Sequence, residues 1–444
     1  MKLPEKFLQR MKERLGADYP AFLSSYEKPP VKGLRVNTLK IGVEEFLRNA
    51  PFPLGEQIVD WEWRGFYIDE EKAGAYKEHF AGLYYLQEPS AMSIGDMADE
   101  CKKDRVLDLC AAPGGKTTLV AAQMEGDGIL IANEIDKARA KILSQNVERM
   151  GVKNCAVINS TPERLARQFP EYFDLILVDA PCSGEGMFKK EPNAIPEWSE
   201  ENVKRCAERQ RDILDCAAKM LAGGGTILYS TCTFAEEEDE WQIEDFLKRH
   251  PEFFIYEDGM EKLYPHEVKG EGHFVAALEK TEGEQRRAKP YPVRRNAQAN
   301  KAFEAFGRDF LTESAFSVIS SAVEKSLTTL PDGRMFLLPG GMPAIDAYLL
   351  RLGVELGEFD GKLFKPAHAL AMSLKREEVK RFIELTPKDC ERYLAGETSP
   401  CDTENGWCVV GFQDYPLGLC KAVNGTLKNH LPKGLRVSNP KRYT

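Results

Sequence analysis

A repeated alternation of apolar strands and helices from Arg105 to about residue 280 most constrains how this 444-residue chain can fold. The strand patterns cover 105–112, 128–135, 155–160, 173–181, 225–232 and 273–279, and the longest helix pattern covers about 200–221. Strands that are apolar on both faces and separated by helices predict a parallel sheet with helices on both sides. Because ligands of such sheets bind beyond the carboxyl ends of the strands, the residues that follow each strand are the candidates for function.

A glycine turn follows the first of these strands, within residues 106–118. The apolar run ends near Asp108, breaks at Pro113-Gly114-Gly115 and continues as a helix from Lys116. Such a turn at a helix N-terminus lets backbone N–H groups close on a ligand. A phosphate-binding loop would need glycine where the chain has Cys110, and the dinucleotide pattern Gly-x-Gly-x-x-Gly is absent. A nucleotide-like ligand without a polyphosphate remains, and S-adenosylmethionine is the obvious candidate.

Two further strand ends carry polar residues. Glu134 follows the second strand at the offset of about 20 residues at which an acidic residue binds ribose hydroxyls. The alternative is a carboxylate that stabilises the start of the next helix through the helix dipole. The third strand ends near Thr161, a polar position without a distinct signal.

A cysteine follows each of the next two strands. Cys182 comes after Asp179-Ala180-Pro181, and Cys232 comes after Ser230-Thr231. If these strands are parallel neighbours, both thiols lie at one rim of the sheet; the alternative is two small buried residues. Residues 233–236 form a capping-box pattern that predicts a helix N-terminus just after Cys232, a position that favours a thiolate. The acidic run at 236–240 opposes this effect.

Composition excludes several classes of protein. The N-terminus has no apolar signal region and no apolar run reaches the length of a membrane span, so we expect a cytoplasmic protein without a membrane partner. The 11 cysteines include no Cys-x-x-Cys pair, so we expect mostly reduced thiols and no metal. We also expect a monomer.

Two acid-free basic stretches stand out in a chain whose formal charge is −10. The first covers 285–303 and is typical of an exposed arm or linker. The second runs from Tyr415 to the C-terminus, and its basic residues are Lys421, Lys428, Lys433, Arg436, Lys441 and Arg442. Net charge averages over domains, and clustered basic residues of this kind favour phosphate contacts with RNA.

Five motifs taken together resemble the Sun-type (Nol/Nop/Sun) RNA cytosine-5 methyltransferases. The matching segments are Arg35-Val36-Asn37, Gln87-Glu88-Pro89-Ser90, residues 108–116, Asp179-Ala180-Pro181-Cys182-Ser183-Gly184 and Ser230-Thr231-Cys232-Thr233. Their order and spacing cover about residues 30–280. The C-terminal part, including residues 427–430 and 432–436, is similar to the bacterial group that methylates small-subunit ribosomal RNA.

The resemblance implies an α/β fold with a Rossmann-like class I methyltransferase core. It divides the chain into an N-terminal α+β RNA-binding segment (1–80), the core (81–282), a linker and intermediate region (283–374) and an α+β PUA-like RNA-binding domain (375–444). It implies that S-adenosyl-L-methionine is the cofactor and that RNA is the partner, and we expect that RNA to be 16S ribosomal RNA or a ribosomal particle. The implied cofactor-binding residues are Cys110, Ala111, Ala112, Pro113, Gly114, Gly115, Lys116, Glu134 and Asp179. An acidic residue that meets the adenine in this family has its counterpart here at Thr161.

The resemblance also assigns the two thiols. It implies that Cys232 is the nucleophile, that Cys182 assists product release and that Asp179 is catalytic. A thiolate that adds to carbon 6 of cytosine activates carbon 5 for methylation, and an acid at the opposite ring nitrogen helps that addition. Sequence geometry alone leaves the roles of the cysteines open, because DNA cytosine methyltransferases use the cysteine of the Pro-Cys motif.

Three other functions remain as alternatives. One is a catalytically inactive RNA-binding factor of ribosome assembly, which the intact cysteines and glycine turn disfavour. Another is a methyltransferase that acts on tRNA. The third is a nucleoside triphosphatase, which Cys110 disfavours because it replaces the first glycine of a phosphate loop.

Overall fold

The computed structural model describes residues 1–437. Its N-terminal part combines four helices with a four-stranded antiparallel sheet of order β2-β3-β1-β4. The elements are α1 (Glu5–Leu15), α2 (Tyr19–Ser25), β1 (Gly33–Val36), α3 (Val43–Arg48), β2 (Leu54–Val59), β3 (Glu62–Ile68), α4 (Lys77–Phe80) and β4 (Tyr84–Leu86). Strand β4 lies beyond the predicted boundary at residue 80 and still pairs with β1.

The central part is built around a nine-stranded sheet. Its elements are α5 (Ile94–Glu100), β5 (Arg105–Asp108), α6 (Gly115–Gln123), β6 (Ile129–Asn133), α7 (Lys137–Arg149), β7 (Cys155–Asn159), α8 (Pro162–Gln168), β8 (Phe173–Asp179), α9 (Glu200–Met220), β9 (Leu221–Thr231), α10 (Glu240–Arg249), β10 (Phe253–Phe254), β11 (Met260–Leu263) and β12 (His273–Lys280). Strands β5 to β9 are parallel and run in the order β9-β8-β5-β6-β7. The predicted α/β core is confirmed.

The prediction that all six strands are parallel is wrong for the last one. Strand β12 is antiparallel to β9, because β11 precedes it and forms an antiparallel pair with it. This hairpin reverses the chain without a crossover helix. As a result β12 begins, rather than ends, at the rim where β8 and β9 end.

The C-terminal part forms two small sheets and also contributes one strand to the central sheet. Its elements are α11 (Ala297–Phe310), α12 (Glu313–Ser326), β13 (Leu327–Thr329), β14 (Arg334–Leu337), β15 (Tyr348–Leu352), β16 (Val354–Phe359), β17 (Phe364–Pro366), α13 (His368–Met372), β18 (Phe382–Glu384), α14 (Pro387–Leu394), β19 (Ser399–Pro400), β20 (Gly406–Phe412), β21 (Tyr415–Val423) and β22 (Thr426–Asn429). Strand β15 pairs antiparallel with β7. The other strands form sheets of order β13-β14-β16-β17 and β18-β20-β21-β22-β19.

Apolar side chains form cores on both faces of the central sheet. Alternate residues of one strand enter opposite cores: Val106 packs with α6 and α7, whereas Leu107 packs with α8 and α9. A third core joins the N-terminal sheet to the C-terminal one, since Phe46 and Tyr84 belong to the same cluster as Tyr393 and Phe412. The two ends of the chain therefore share one hydrophobic core. Among residues 1–437, no helix is both long and apolar enough to cross a membrane.

Candidate active site

The two candidate thiols meet at the carboxyl ends of β8 and β9. These strands pair with Asp179 opposite Ser230, so the residues that follow them leave the sheet side by side. The sulfur atoms of Cys182 and Cys232 lie 3.1 Å apart, and both residues are partly exposed. The prediction that both thiols reach one rim is confirmed, whereas their roles stay a prediction.

Hydrogen bonds join the two loops that carry these cysteines. The Ser183 and Thr233 hydroxyl groups lie 2.8 Å apart, and the backbone N–H of Gly186 donates to the carbonyl of Cys232 at 2.9 Å. The buried carboxylate of Glu185 accepts from the N–H of Phe234 at 3.1 Å. The loops therefore hold each other, and the distance between the thiols does not depend on either loop alone.

The predicted helix start just after Cys232 is wrong. Helix α10 begins at Glu240, and the residues between contain turns instead. The Thr233 side chain bonds to Ser183 rather than capping a helix, because the tertiary contact with the neighbouring loop competes for the same hydroxyl. The helix N-terminus therefore gives no argument for activating Cys232.

The Cys182 thiol has an unusual electrostatic environment. Its hydrogen bond with Cys232 and its burial raise the pKa of Cys182 well above the ordinary value, and the charge of Glu238 adds to the shift. Cys182 is therefore a protonated thiol at neutral pH, and its S–H can donate to the Cys232 sulfur. A donor in this position stabilises negative charge on Cys232.

Asp179 forms an ion pair beside the thiols. Its Oδ1 lies 2.7 Å from Lys116 Nζ and accepts a hydrogen bond from the Ser230 hydroxyl at 3.0 Å. Burial acts to raise the pKa of Asp179, but the charge of Lys116 acts in the opposite direction together with the hydrogen bonds from Lys116 and Ser230, and the pKa is lowered. Lys116 is buried whereas 39% of the Asp179 side chain is exposed, so an ionised carboxylate faces the rim with its counter-ion behind it.

His273 is a site neighbour that sequence reasoning missed. It opens β12, is 2% exposed, and its Nε2 has no hydrogen-bond partner among the described residues. Burial and then the charge of Lys116 lower the pKa of His273 to about 3, while Asp179 acts in the opposite direction. The imidazole is therefore neutral. His273 reaches this rim because β12 is antiparallel to β9 and begins there. A strand pattern in a sequence does not give the direction of the strand, so no sequence signal pointed to His273.

The motif Gln87-Glu88-Pro89-Ser90 supports this side of the site. Glu88 accepts from the N–H of Glu271 at 2.9 Å, and the Ser90 hydroxyl accepts from the N–H of Gly272 at 3.1 Å. Both acceptors belong to the chain segment that leaves the N-terminal sheet. They hold the two residues that directly precede His273.

The glycine turn has the geometry expected of a cofactor site. Gly114 is the N-cap of α6 and has a φ of +113°, a conformation that favours glycine. Asp108, at the end of β5, accepts a hydrogen bond from the Thr117 hydroxyl of α6 at 2.6 Å. Cys110, Ala111, Ala112 and Pro113 lead into this turn, with Ala112 receiving a bond from Arg139 at 2.7 Å. Burial raises the pKa of Asp108 to about 7, and its Oδ1 has no partner among the described residues.

Arg35 fastens this turn to the N-terminal sheet. Its buried guanidinium donates to the Gly115 carbonyl at 3.0 Å and to the Thr118 hydroxyl at 2.9 Å. The first turn of α6 therefore takes part of its support from β1. The family motif had marked Arg35, but its contact across the two parts of the chain appears only in the tertiary structure.

Glu134 and Thr161 have different surroundings. Glu134 is 3% exposed and follows β6, where it accepts from the N–H of Asp136 at 2.9 Å and lies 3.5 Å from Arg139. Thr161 is exposed and caps α8 through Arg164. Asn159, the last residue of β7, donates to the carbonyls of Glu134 and Ile135 at 2.8 and 2.7 Å.

The donor set of the turn fits S-adenosylmethionine. The unpartnered Asp108 oxygen and the Glu134 carboxylate are acceptors for hydroxyl or ammonium groups, and the first turn of α6 presents N–H groups. The thiols and Asp179 lie at the end of the adjacent strands. The fold and this site together define a class I S-adenosylmethionine-dependent methyltransferase.

Three family models match separate parts of the chain, and none of them covers residues 280–379. Residues 97–279 match 16S rRNA methyltransferase RsmB/F, residues 3–89 match the N-terminal domain of 16S rRNA methyltransferase RsmF, and residues 380–437 match the methyltransferase RsmF PUA domain. Ribosomal RNA small subunit methyltransferase F of Shigella dysenteriae serotype 1 is 34% identical over 99% of this chain and 98% of its own length. The same-named protein of Escherichia coli (strain SE11) has the same identity and coverage. The chain belongs to the RsmB/F family of 16S rRNA methyltransferases.

Solved structures agree on the fold. A methyltransferase homologue from Pyrococcus horikoshii is 28% identical, with a TM-score of 0.53, and the match covers 63% of this chain and 100% of that one. The structure of NSun6 from Pyrococcus horikoshii with SFG is 21% identical, with a TM-score of 0.56, over 63% of this chain and 99% of that one. The latter likeness concerns the fold alone.

Proposed function

We propose that this protein transfers a methyl group from S-adenosylmethionine to carbon 5 of a cytidine in 16S ribosomal RNA, in the cytoplasm. The observation that carries the proposal is the 3.1 Å contact between Cys182 and Cys232 beside the ionised Asp179. Cytosine-5 methylation needs a nucleophile for carbon 6 and a way to eliminate that nucleophile afterwards. Two thiols in contact meet both needs.

Residues of the glycine turn would hold the cofactor. We assign Cys110, Ala111, Ala112, Pro113, Gly114, Gly115 and Lys116 to its walls and Glu134 to its ribose hydroxyls. Lys116 keeps Asp179 ionised through their 2.7 Å ion pair. Thr161 is a weaker candidate, since its hydroxyl already caps α8. When bound, the cofactor supplies an electrophilic methyl group.

The chain's own residues then perform the ring chemistry. The Cys232 sulfur bonds to carbon 6 while its thiol proton goes to the ring nitrogen, and the ionised Asp179 carboxylate accepts a hydrogen bond from the N–H that forms. Carbon 5 becomes nucleophilic and takes the methyl group. Elimination breaks the bond from sulfur to carbon 6 and removes the proton from carbon 5. Cys182 lies next to the departing sulfur, and its S–H proton passes to Cys232 as the bond to carbon 6 breaks. The Cys182 thiolate that results is a strong base because the pKa of this thiol is raised, and it takes the proton from carbon 5.

Substitution of each cysteine tests this division of roles. Cys232→Ala should abolish methyl transfer while the binding of S-adenosylmethionine persists. Cys182→Ala should accumulate a covalent protein–RNA adduct that survives denaturing electrophoresis. An adduct that forms in Cys232→Ala with Cys182 intact would contradict the assignment and reverse the roles.

The substrate is tested in cells. Bisulfite sequencing of ribosomal RNA from a deletion strain should show the loss of 5-methylcytosine from 16S ribosomal RNA, and the wild-type gene should restore it. Loss of the modification from tRNA instead would favour a tRNA methyltransferase. An unchanged modification pattern would favour an RNA-binding assembly factor without activity.

Lysines of the C-terminal sheet support RNA binding. Lys421 and Lys428 are exposed and lie directly opposite each other on β21 and β22, where like charges repel unless an anion lies between them. Burial and then the charges of Lys365, Lys421 and Lys428 lower the pKa of His430. We assign this lysine cluster (Lys365, Lys421 and Lys428) to RNA phosphates. Lys441 and Arg442 of the predicted basic tail lie outside the described residues.

A further inference from the structure

Glu238 is a buried carboxyl that the chemistry above does not use. It lies in the turns between Cys232 and α10, and its side chain is 0% exposed. Its Oε2 accepts from the backbone N–H of Ser183 and from Gln210 Nε2, each at 2.9 Å. Its Oε1 has no partner within residues 1–437. A buried carboxyl is costly to maintain, so its contacts need a reason.

These contacts converge on the segment that carries Cys182. Ser183 follows Cys182, and Gln210, on α9, donates to the carbonyl of Pro181 at 3.2 Å as well as to Glu238. The residues on both sides of Cys182 are therefore held by the Glu238–Gln210 pair. Both side chains of the pair are fully buried, which leaves water no access to compete for these bonds.

The position of Glu238 is itself fixed by the central sheet. The buried Tyr229 hydroxyl, on β9, donates to the Glu238 carbonyl at 2.6 Å. The Glu238 N–H donates to the carbonyl of Ala235 at 3.0 Å. Through Glu238, the Cys182 segment is therefore held in a fixed position relative to β9, the strand that precedes Cys232.

We propose that Glu238 is a positioning residue that holds the Cys182 segment so that the Cys182 thiol can act on the adduct formed by Cys232. This inference rests on the proposed function, in which Cys182 assists release. Loss of the Glu238 contacts lets the segment move. The hydrogen bonds of the Glu238 side chain do not involve Cys232 or Asp179, which lie at the ends of β9 and β8. Loss of that side chain therefore slows release of the covalent adduct more than its formation.

Asp239 provides a matched control for Glu238. It is the next residue, is equally buried, and accepts from the Thr231 hydroxyl at 2.6 Å and pairs with Lys262 at 2.7 Å. These contacts support the strand end before Cys232 rather than the Cys182 segment. Asp239→Asn should therefore slow adduct formation without prolonging the life of the adduct.

The experiment compares adduct formation and release in the full-length protein with an RNA substrate and S-adenosylmethionine. Glu238→Ala should prolong the covalent adduct on denaturing gels by about 10- to 100-fold, the range for a displaced functional group, with single-turnover methyl transfer less affected. Glu238→Gln should restore release, because its amide oxygen can accept from Ser183. Gln210→Met should prolong the lifetime of the adduct as Glu238→Ala does. This second variant keeps the inference testable if Glu238→Ala folds poorly.

Three results would overturn the inference, and the third is distinguishable from the others because it overturns the proposed role of Cys182 as well. If Cys182→Ala traps an adduct but Glu238→Ala and Gln210→Met release product normally, the positioning role is wrong and the proposed function stands. The same holds if both variants slow transfer and release equally, which indicates a merely structural role. If Cys182→Ala traps no adduct, the proposed role of Cys182 is wrong and the inference is overturned with it.

Discussion

At the scale of single residues, the site is governed by buried ionisable groups whose charges are set by their neighbours. Lys116 helps to keep Asp179 ionised, burial and then the charge of Lys116 keep His273 neutral, and the contact with Cys232 keeps Cys182 protonated. A single lysine of the glycine turn therefore links the proposed cofactor site to the candidate reacting groups. Its substitution would alter both, whereas the thiols and His273 can be tested separately.

His273 should make the protein sensitive to mild acid. Its pKa is about 3 in the folded state and 6.5 ordinarily, so below pH 6.5 the unfolded chain binds a proton that the folded chain excludes. Stability contributed by the neutral group is lost as pH falls, by about 1.4 kcal/mol per pH unit, or about 2 kcal/mol at about pH 5. His273→Phe should flatten this slope in urea unfolding measured at several pH values. Parallel slopes for variant and wild type would contradict the argument.

At the scale of elements, the start of α6 depends on β1 of another sheet. Arg35 supplies two hydrogen bonds to the first turn of α6, next to the N–H groups that we assign to the cofactor. The helix alone would fray at this end, because its N-cap is Gly114 and no side chain caps it. The N-terminal segment therefore supports the turn that we assign to the cofactor.

Arg35→Met should weaken cofactor binding. Loss of hydrogen bonds from a charged donor is worth about 1.5 kcal/mol or more, so the Kd for S-adenosylmethionine measured by calorimetry should rise about 10-fold. Lys40→Met is the control, because Lys40 is a half-buried cation that bonds to the carbonyls of Ala81 and Arg149, away from the turn. Equal changes of Kd in both variants would show that only general stability is involved.

At the scale of the whole molecule, the N-terminal sheet and the C-terminal sheet pack around a common hydrophobic core. Phe412 of β20 is 2% exposed and belongs to the core that contains Phe46 of α3. The Tyr415 hydroxyl also donates to Glu45 at 2.7 Å. The N-terminal sheet and the PUA-type domain therefore present a joint surface, which a substitution in their common core would loosen.

Phe412→Ala should destabilise this joint core by about 3–5 kcal/mol, the usual cost of such a cavity. Because residues from both ends line the cavity, limited proteolysis should release fragments from both ends at lower denaturant than in wild type. Leu214→Ala, in a separate core of the central sheet, is the control. Cleavage confined to the C-terminal end of Phe412→Ala would contradict a shared core.

RNA binding should depend on salt through the lysine cluster. Each phosphate contact contributes about 0.7 to the slope of log affinity against log salt on single strands, so Lys421→Ala with Lys428→Ala should lower the slope by about 1.4. Lys219→Ala, an exposed lysine at the far end of α9, should leave the slope unchanged. An RNA affinity of the wild type that does not depend on salt would contradict phosphate contacts.

The sequence by itself determined the strands and helices of the core, the glycine turn and the delivery of both cysteines to one rim, because these follow from local periodicity and from parallel pairing. The predictions of a parallel β12 and of a helix start just after Cys232 were wrong, and the sequence did not indicate β15, since each of these features depends on a contact with a distant segment. The roles of His273 and Glu238 were equally hidden. Their burial and their neighbours come from segments far apart in the chain, and only the tertiary structure brings those charges and hydrogen bonds together.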